Sequence, residues 1–303
     1  MSSINTNPSA ITALQSLRNT QNSLSVAQKQ ISTGLKISSA SDNASTWSIA
    51  ETMKSDKGVM STLSDSLNFA GSTLNVAANA LTGAISVVNS IKDTVAQALT
   101  PGADLAKIGT KLAQLGQQLS SVVSSASITG INMLDGSTTT TVAGGAVPGV
   151  NFTASYKNNS GAAASSVGFI SLATTDLTNA GGTGILQAAT AVGSTATTNF
   201  TSLSAADVAA GTVADTLSNV DKVIADLTTY ASQIGAVQSR VASQAAFVQS
   251  LNDALTSGVS SLVDADMNEV STRLQALQTQ QQLGVQSLSI ANQNSQLILK
   301  LFQ

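Results

Sequence analysis

Residues 63 to 96 read "LSDSLNFAGSTLNVAANALTGAISVVNSIKDTVA". Their apolar or small side chains fall at Leu63, Leu67, Ala70, Leu74, Ala77, Leu81, Ala84, Val88, Ile91 and Val95. Steps of three and four place such residues on one face of an α-helix, whereas a half-buried strand would show steps of two. Sustained over about five heptads, the spacing predicts a coiled-coil seam. "TPGAD" at 100 to 104 interrupts it, and the same spacing resumes at Leu105, Ile108, Leu112, Leu115, Leu119 and Val122. A Pro-Gly pair between two such runs predicts a break between antiparallel helices that pack on each other.

The rule returns near the other end, through Val213, Leu217, Val220, Ile224, Leu227, Ala231, Ile234, Gln238, Val241, Ala245, Val248, Asn252, Leu255, Val259 and Leu262. Roughly 50 residues of helix span about 75 Å, too long for a compact domain. After Leu262 the phase slips by one residue and continues at Val263, Met267, Val270, Leu274, Leu277, Gln281, Gly284, Leu288, Ala291, Ser295, Ile298 and Phe302. Such a slip predicts a change in winding or a hinge between two helical segments. The last 40 residues carry a second stripe on one flank, Leu283, Ile290, Leu297 and Leu301. A helix apolar on two flanks needs more than one neighbour. The N-terminal segment offers a complementary strip, Ile4, Ile11, Leu14, Leu17, Leu24, Ile31 and Leu35. The two chain ends are expected to pair and to leave apolar surface for further copies of the chain.

Composition narrows the function. Charged residues are 10% of the 303, against a usual quarter. The net charge of −3 gives no basic field for a phosphate backbone, so nucleic acid is not expected as a partner. No run of 18 consecutive apolar residues is present, and "MSSINTNPSAITALQ" has neither a basic start nor a continuous apolar segment. Membrane insertion and a cleavable secretory signal are therefore not expected, and export would use another route. With no Cys and no His, the commonest nucleophile, general base and transition-metal ligands are all missing. No catalytic, cofactor or metal site is expected, and no disulfides.

Between about residues 138 and 204 the heptads stop, and short alternating stretches such as "VNFTASY" and "VGFISLAT" predict strands or hairpins within a Gly, Thr and Ser-rich segment. "LDGS" at 134 to 137 predicts an Asp-Gly turn closing the helical region. "GGTG" at 181 to 184 lacks the Lys-Ser/Thr of a phosphate loop and reads as a turn. Asp264, Asp266 and Glu269, just before an apolar helix, suit helix capping better than metal binding. Gln281 and Asn252, at seam positions, suit register setting. In "LKISSASDNASTWSIAE" at 35 to 51, Ser41, Asp42 and Asn43 are good N-cap residues, so the stretch is read as a spoke joining two helices.

The segment "NTNPSAITALQSLRNTQNSL" through "QISTGLKISSASDNASTWSIAE" closely resembles the N-terminal region of bacterial flagellins, including the run Thr33 to Ile37 and the motif Ser39 to Ala44. "DADMNEVSTRLQALQTQQQLGVQSLSIANQ" at 264 to 293 resembles the family's C-terminal region. The resemblance implies a mainly α protein. Residues 1 to 40 with 263 to 303 would form an inner tube of coiled coils, 41 to 137 with 205 to 262 an outer helical tube, and 138 to 204 a variable surface insertion with β-hairpins. It implies an exported structural subunit, with no cofactor, that self-polymerises into an extracellular filament for motility. Its implied partners are its own copies, the flagellar type III export apparatus, a cytoplasmic chaperone, and the hook-junction and filament-cap proteins. Subunit packing is expected from Ile11, Leu14, Leu17, Leu24, Ile31, Leu274, Leu277, Leu283, Leu288, Ile290, Leu297, Ile298 and Leu301.

Two departures from the family pattern carry expectations. Many relatives have a Pro near the pair matching Asn292 and Gln293, and its absence in "NQNSQLILKLFQ" predicts a last helix running closer to the end. Flagellins sensed by the vertebrate innate receptor carry an Arg-x-Arg-Glu-Leu type run where this chain has Ser90, Ile91, Lys92, Asp93 and Thr94, which predicts weak or no receptor activation. The alternatives are a hook-filament junction or other axial protein, and, from another class, a secreted effector or adhesin.

Overall fold

The computed structural model describes residues 7–136, 149–157, 166–178, 184–187, 198–209 and 212–301, with side chains of the last helix through residue 293. Five helices carry it: α1 Pro8–Thr33, α2 Ala44–Gln97, α3 Leu105–Ser125, α4 Val213–Val263 and α5 Met267–Leu301. Among the described residues, four strands stand between α3 and α4, β1 Ser127–Ile128, β2 Ile131–Asn132, β3 Gly149–Lys157 and β4 Ser166–Ala173. The chain divides into two compact units, Met1–Lys57 with Asp253–Gln303, and Gly58–Asn252.

The larger unit is built on the seam quoted above. Leu63, Leu67, Ala70, Leu74, Ala77, Leu81, Ala84, Val88, Ile91 and Val95 are all buried. By length and composition α2 includes a stretch apolar enough to cross a membrane. Its buried residues follow one seam with Asn, Ser and Thr between them, the pattern of a helix packed against protein. α2 and α4 run antiparallel, since Gln238 donates to Asn75 at 3.0 Å and Lys92 meets Asp221 at 2.7 Å. "TPGAD" forms the break between α2 and α3, with Gly102 at φ 82° and Asp104 accepting from Lys107 N at 3.2 Å as the N-cap of α3.

On α4 the buried stripe is offset from the heptads. Val213, Val220, Leu227, Ile234 and Val241 are buried as the spacing predicts, but Leu217, Ile224, Ala231 and Gln238 are half-buried. Thr216, Val223, Tyr230 and Val237 are buried in their place. α4 meets more than α2: Gln244 donates to Ala154 O of β3 at 2.7 Å, and Tyr230 donates to Met133 O at 2.8 Å. Burial pushes the Tyr230 hydroxyl up to about 12, so it stays a neutral donor.

The helical region closes earlier than "LDGS". β1 and β2 form a tight hairpin with Thr129 and Gly130 at φ 49° and 82°. This matches a turn that needs positive φ at both central residues. Asn132 then donates to Val123 O at 2.8 Å, capping the end of α3. "VNFTASY" and "VGFISLA" are β3 and β4, an antiparallel pair with a bulge between Thr153 and Ser155. Val150, Phe152, Ala154, Ile170 and Leu172 are buried on one face of it. After β4 the chain returns over α3 by a segment that seats Phe200 and a 3-10 turn, Ala205–Val208, on Gly116 and Gly109. A Cβ at Gly116 would stand 2.8 Å from Phe200 O, so only glycine admits this backbone. "GGTG" lies outside the described residues except for Gly184.

Candidate assembly surface

α1 packs along α5. They run antiparallel: Asn7 donates to Ala291 O at 3.0 Å, a Cβ at Gly284 would meet Leu17 at 3.3 Å, and Leu35 bridges Asp264. α1 starts under an Asn7 cap with Pro8 in its first turn, and it ends at Gly34 in the left-handed region, φ 72°. On α1 the side chains turned inward are Leu17, Leu24 and Ile31, with Thr20 and Ala27 buried between them. On α5 they are Val270, Leu274, Leu277, Gln281, Gly284, Leu288 and Ala291, all buried or half-buried. Small residues at Thr20, Ala27 and Gly284 let the two backbones approach.

The other apolar positions stay outside this seam. Ile11 is 58% exposed, Leu283 59% and Ile290 61%, and Leu14 is exposed too. Val26 and Val285, which heptad reading passes over because they fall between its stripes, are also exposed. Leu283 and Ile290 are seven apart and so share one flank of α5. The expected packing residues therefore separate into a seam satisfied within the chain and a set whose apolar area faces solvent. Leu297, Ile298 and Leu301 lie on the last helix, which runs to Leu301, but their side chains fall outside the described residues.

The phase slip at Leu262 coincides with a real interruption, since α4 ends at Val263 and α5 begins at Met267. Asp266 accepts from Asn268 N at 2.9 Å and Glu269 N at 3.3 Å as the cap of α5, while Glu269 pairs with Arg273. Asp264 accepts from Ser260. The three carboxylates thus serve helix ends. This interruption lies beside the outgoing crossover: Lys36 N and Ile37 N donate to Val263 O at 2.7 and 3.3 Å, and Ala265 N donates to Gly34 O at 2.9 Å. Ile37, Ala50 and Val263 form a small core there, joined by Leu35, Trp47 and Leu262.

Within "SASDN" the three cap candidates have different roles. Asn43 is the cap, accepting from Thr46 N at 3.1 Å. Ser41 shares a hydrogen bond with Ser39 at 2.8 Å. Asp42 turns back, and one of its oxygens accepts from the backbone and hydroxyl of both Ser38 and Ser39, with Lys29 at 3.5 Å. The backbone N–H of Ser38 and the Ser39 hydroxyl, helped by the remaining donors against a little desolvation, hold its carboxyl down to about 2.

Among the described residues no group of three or more acidic or metal-ligating side chains gathers to hold a metal ion. What the helices present is unfilled apolar surface at both chain ends, the mark of a structural protein that completes its packing in an assembly. Residues 4–139 match the family model for the bacterial flagellin N-terminal helical region, and residues 217–302 match that for the bacterial flagellin C-terminal helical region. Flagellin C of Rhizobium meliloti (strain 1021) is 39% identical over 326 residues, covering 100% of both chains. Flagellin of Brucella melitensis biotype 1 is 40% identical over 304 residues, again covering 100% of both. Flagellin A of Rhizobium meliloti (strain 1021) is 41% identical over 152 residues, 48% of this chain and 39% of its own. The chain belongs to the bacterial flagellin family. It is a structural subunit of the flagellar filament, not an enzyme, and the junction-protein alternative is not favoured.

Proposed function

We propose that the subunit polymerises through the apolar surface α1 and α5 leave exposed, and that residues 1 to 40 with 263 to 303 form the filament's inner tube. The observation carrying this is the exposed set Ile11, Leu14, Leu283, Val285 and Ile290 on the two helices that bring the chain ends together. In this reading 41 to 137 with 205 to 262 form the outer tube, 138 to 204 project from it, and residues 36 to 44 are the spoke between tubes. Repeated head-to-tail contacts that propagate helically are heterologous, so each subunit shows different surfaces to different neighbours. Polymerisation then supplies the burial that offsets the entropy of ordering the terminal helices.

The subunit would leave the cell unfolded through the flagellar type III apparatus, its C-terminal helix shielded by a cytoplasmic chaperone. Outside the cell it would be added between the hook-junction and filament-cap proteins. Negative-stain electron microscopy of purified protein at high salt with short filament seeds tests the polymerisation. Long uniform tubes are expected, and dispersed particles under every condition would return the reading to a junction protein. In a receptor-reporter assay the filament protein should activate the innate flagellin receptor weakly or not at all. Where the sensed relatives carry arginine, Lys92 is the single cation, and it is paired with Asp221.

A further inference from the structure

A single carboxylate closes the crossover between α1 and α2. Asp42 accepts from Ser38 N and Ser39 N at 3.0 Å and from both hydroxyls at 3.1 Å, and stands 3.5 Å from Lys29 of α1. The other acidic groups of this unit are otherwise engaged: Glu51 with Lys54, Asp264 with Ser260, Asp266 with the first turn of α5 and Glu269 with Arg273, while Asp56 and Asp253 have partners of their own; the remaining charge on the crossover is Lys36, whose amide is tied to Val263 O. The loop it closes follows directly on Ile37, whose amide is tied to Val263 and whose side chain sits in the core with Trp47.

We propose that Asp42 is an acid-released latch on this crossover, whose protonation loosens the seat of α1 against the returning chain. Ionised, the carboxylate is an acceptor only, and four donors plus an ammonium match it. Protonated, it becomes a weaker acceptor carrying a hydrogen of its own, and the charge-assisted bonds are lost. The same donors hold its pKa in the fold below the ordinary 3.8, at about 2. A depressed folded-state value means that the latch contributes fully above its unfolded pKa and is lost as pH falls from about 4 through about 2.

Trp47 is the only tryptophan and packs in the small core with Ile37, where this crossover begins, so the emission of the chain reports on the seat of the crossover. The test is an acid titration of the unassembled subunit read by Trp47 emission and, separately, of assembled filaments read by pelleting. The latch rests on the filament reading only through the pelleting arm, and the emission arm judges it without assembly. Wild-type emission should change in one step between about pH 4 and about pH 2. Asp42→Asn should show altered emission at neutral pH and no acid step. The double variant Ser38→Ala with Ser39→Ala keeps the charge but loses the hydroxyl donors, and should move the step up by about one pH unit. A double variant with the wild-type midpoint, or an Asp42→Asn protein that keeps the acid step, overturns the latch. If Asp42→Asn does not assemble, its emission still decides on the unassembled chain and the double variant decides on filaments.

Discussion

Replacing Leu283 and Ile290 together by aspartate is expected to abolish filament growth while leaving the helices of the larger unit folded as before. Both side chains are more than half exposed in the isolated chain and share the outer flank of α5, so nothing inside the molecule depends on them. Burying a leucine or isoleucine is worth about 1.5–3 kcal/mol, and burying an unpaired carboxylate costs several more. A loss of about 3 kcal/mol per added subunit already raises the critical concentration by more than about a hundredfold. Sedimentation of seeded reactions reads the loss, and circular dichroism reads the retained helix. Normal filaments from the double variant would remove this flank from the assembly surface.

Leu81→Ala is expected to do the opposite. Leu81 is fully buried in the seam of α2, where truncation leaves a cavity among close-packed helices. Substitutions of this kind cost about 2–5 kcal/mol. At about 2–4 °C per kcal/mol for a chain of this size, the melting temperature of unassembled protein should fall by roughly 5–15 °C. The Leu283 and Ile290 double aspartate variant should melt with the wild type in the same experiment. A Leu81→Ala protein as stable as wild type would contradict the packing assigned to α2.

The two substitutions separate what was legible in the sequence. The α2 seam, the break at "TPGAD", the interruption after Leu262 and the two strands of the middle segment were all readable, because three-four spacing and alternation are direct traces of helix and strand geometry. The division of α5 into an inward seam and an outward flank was readable for the same reason. The offset on α4 was not. Thr216 and Tyr230 do not look apolar in a heptad count, and they are buried because irregular segments cover that face: Thr216 donates to Asp207 O of the 3-10 turn at 2.7 Å, and Tyr230 to Met133 O. The notches at Gly109 and Gly116 were likewise hidden, since they depend on a segment about 90 residues further along crossing α3. "SASDN" offered three equivalent cap residues, and only backbone geometry shows that Asn43 caps while Asp42 closes the loop behind it. Spacing along one element reveals its own faces, and contacts made by distant irregular segments leave no such trace.

Because the chain has no cysteine, burial of the α5 flank in the filament can be measured at a single introduced thiol. Ile290→Cys places a unique thiol on the outer flank of α5, and its rate of reaction with a soluble maleimide is measured in unassembled protein and in filaments. Fast labelling of the free subunit is expected, with protection by at least about a hundredfold on assembly, as neighbouring subunits cover the flank. Equal rates in the two states would show that this surface stays open to solvent in the filament, and that subunits do not join through it.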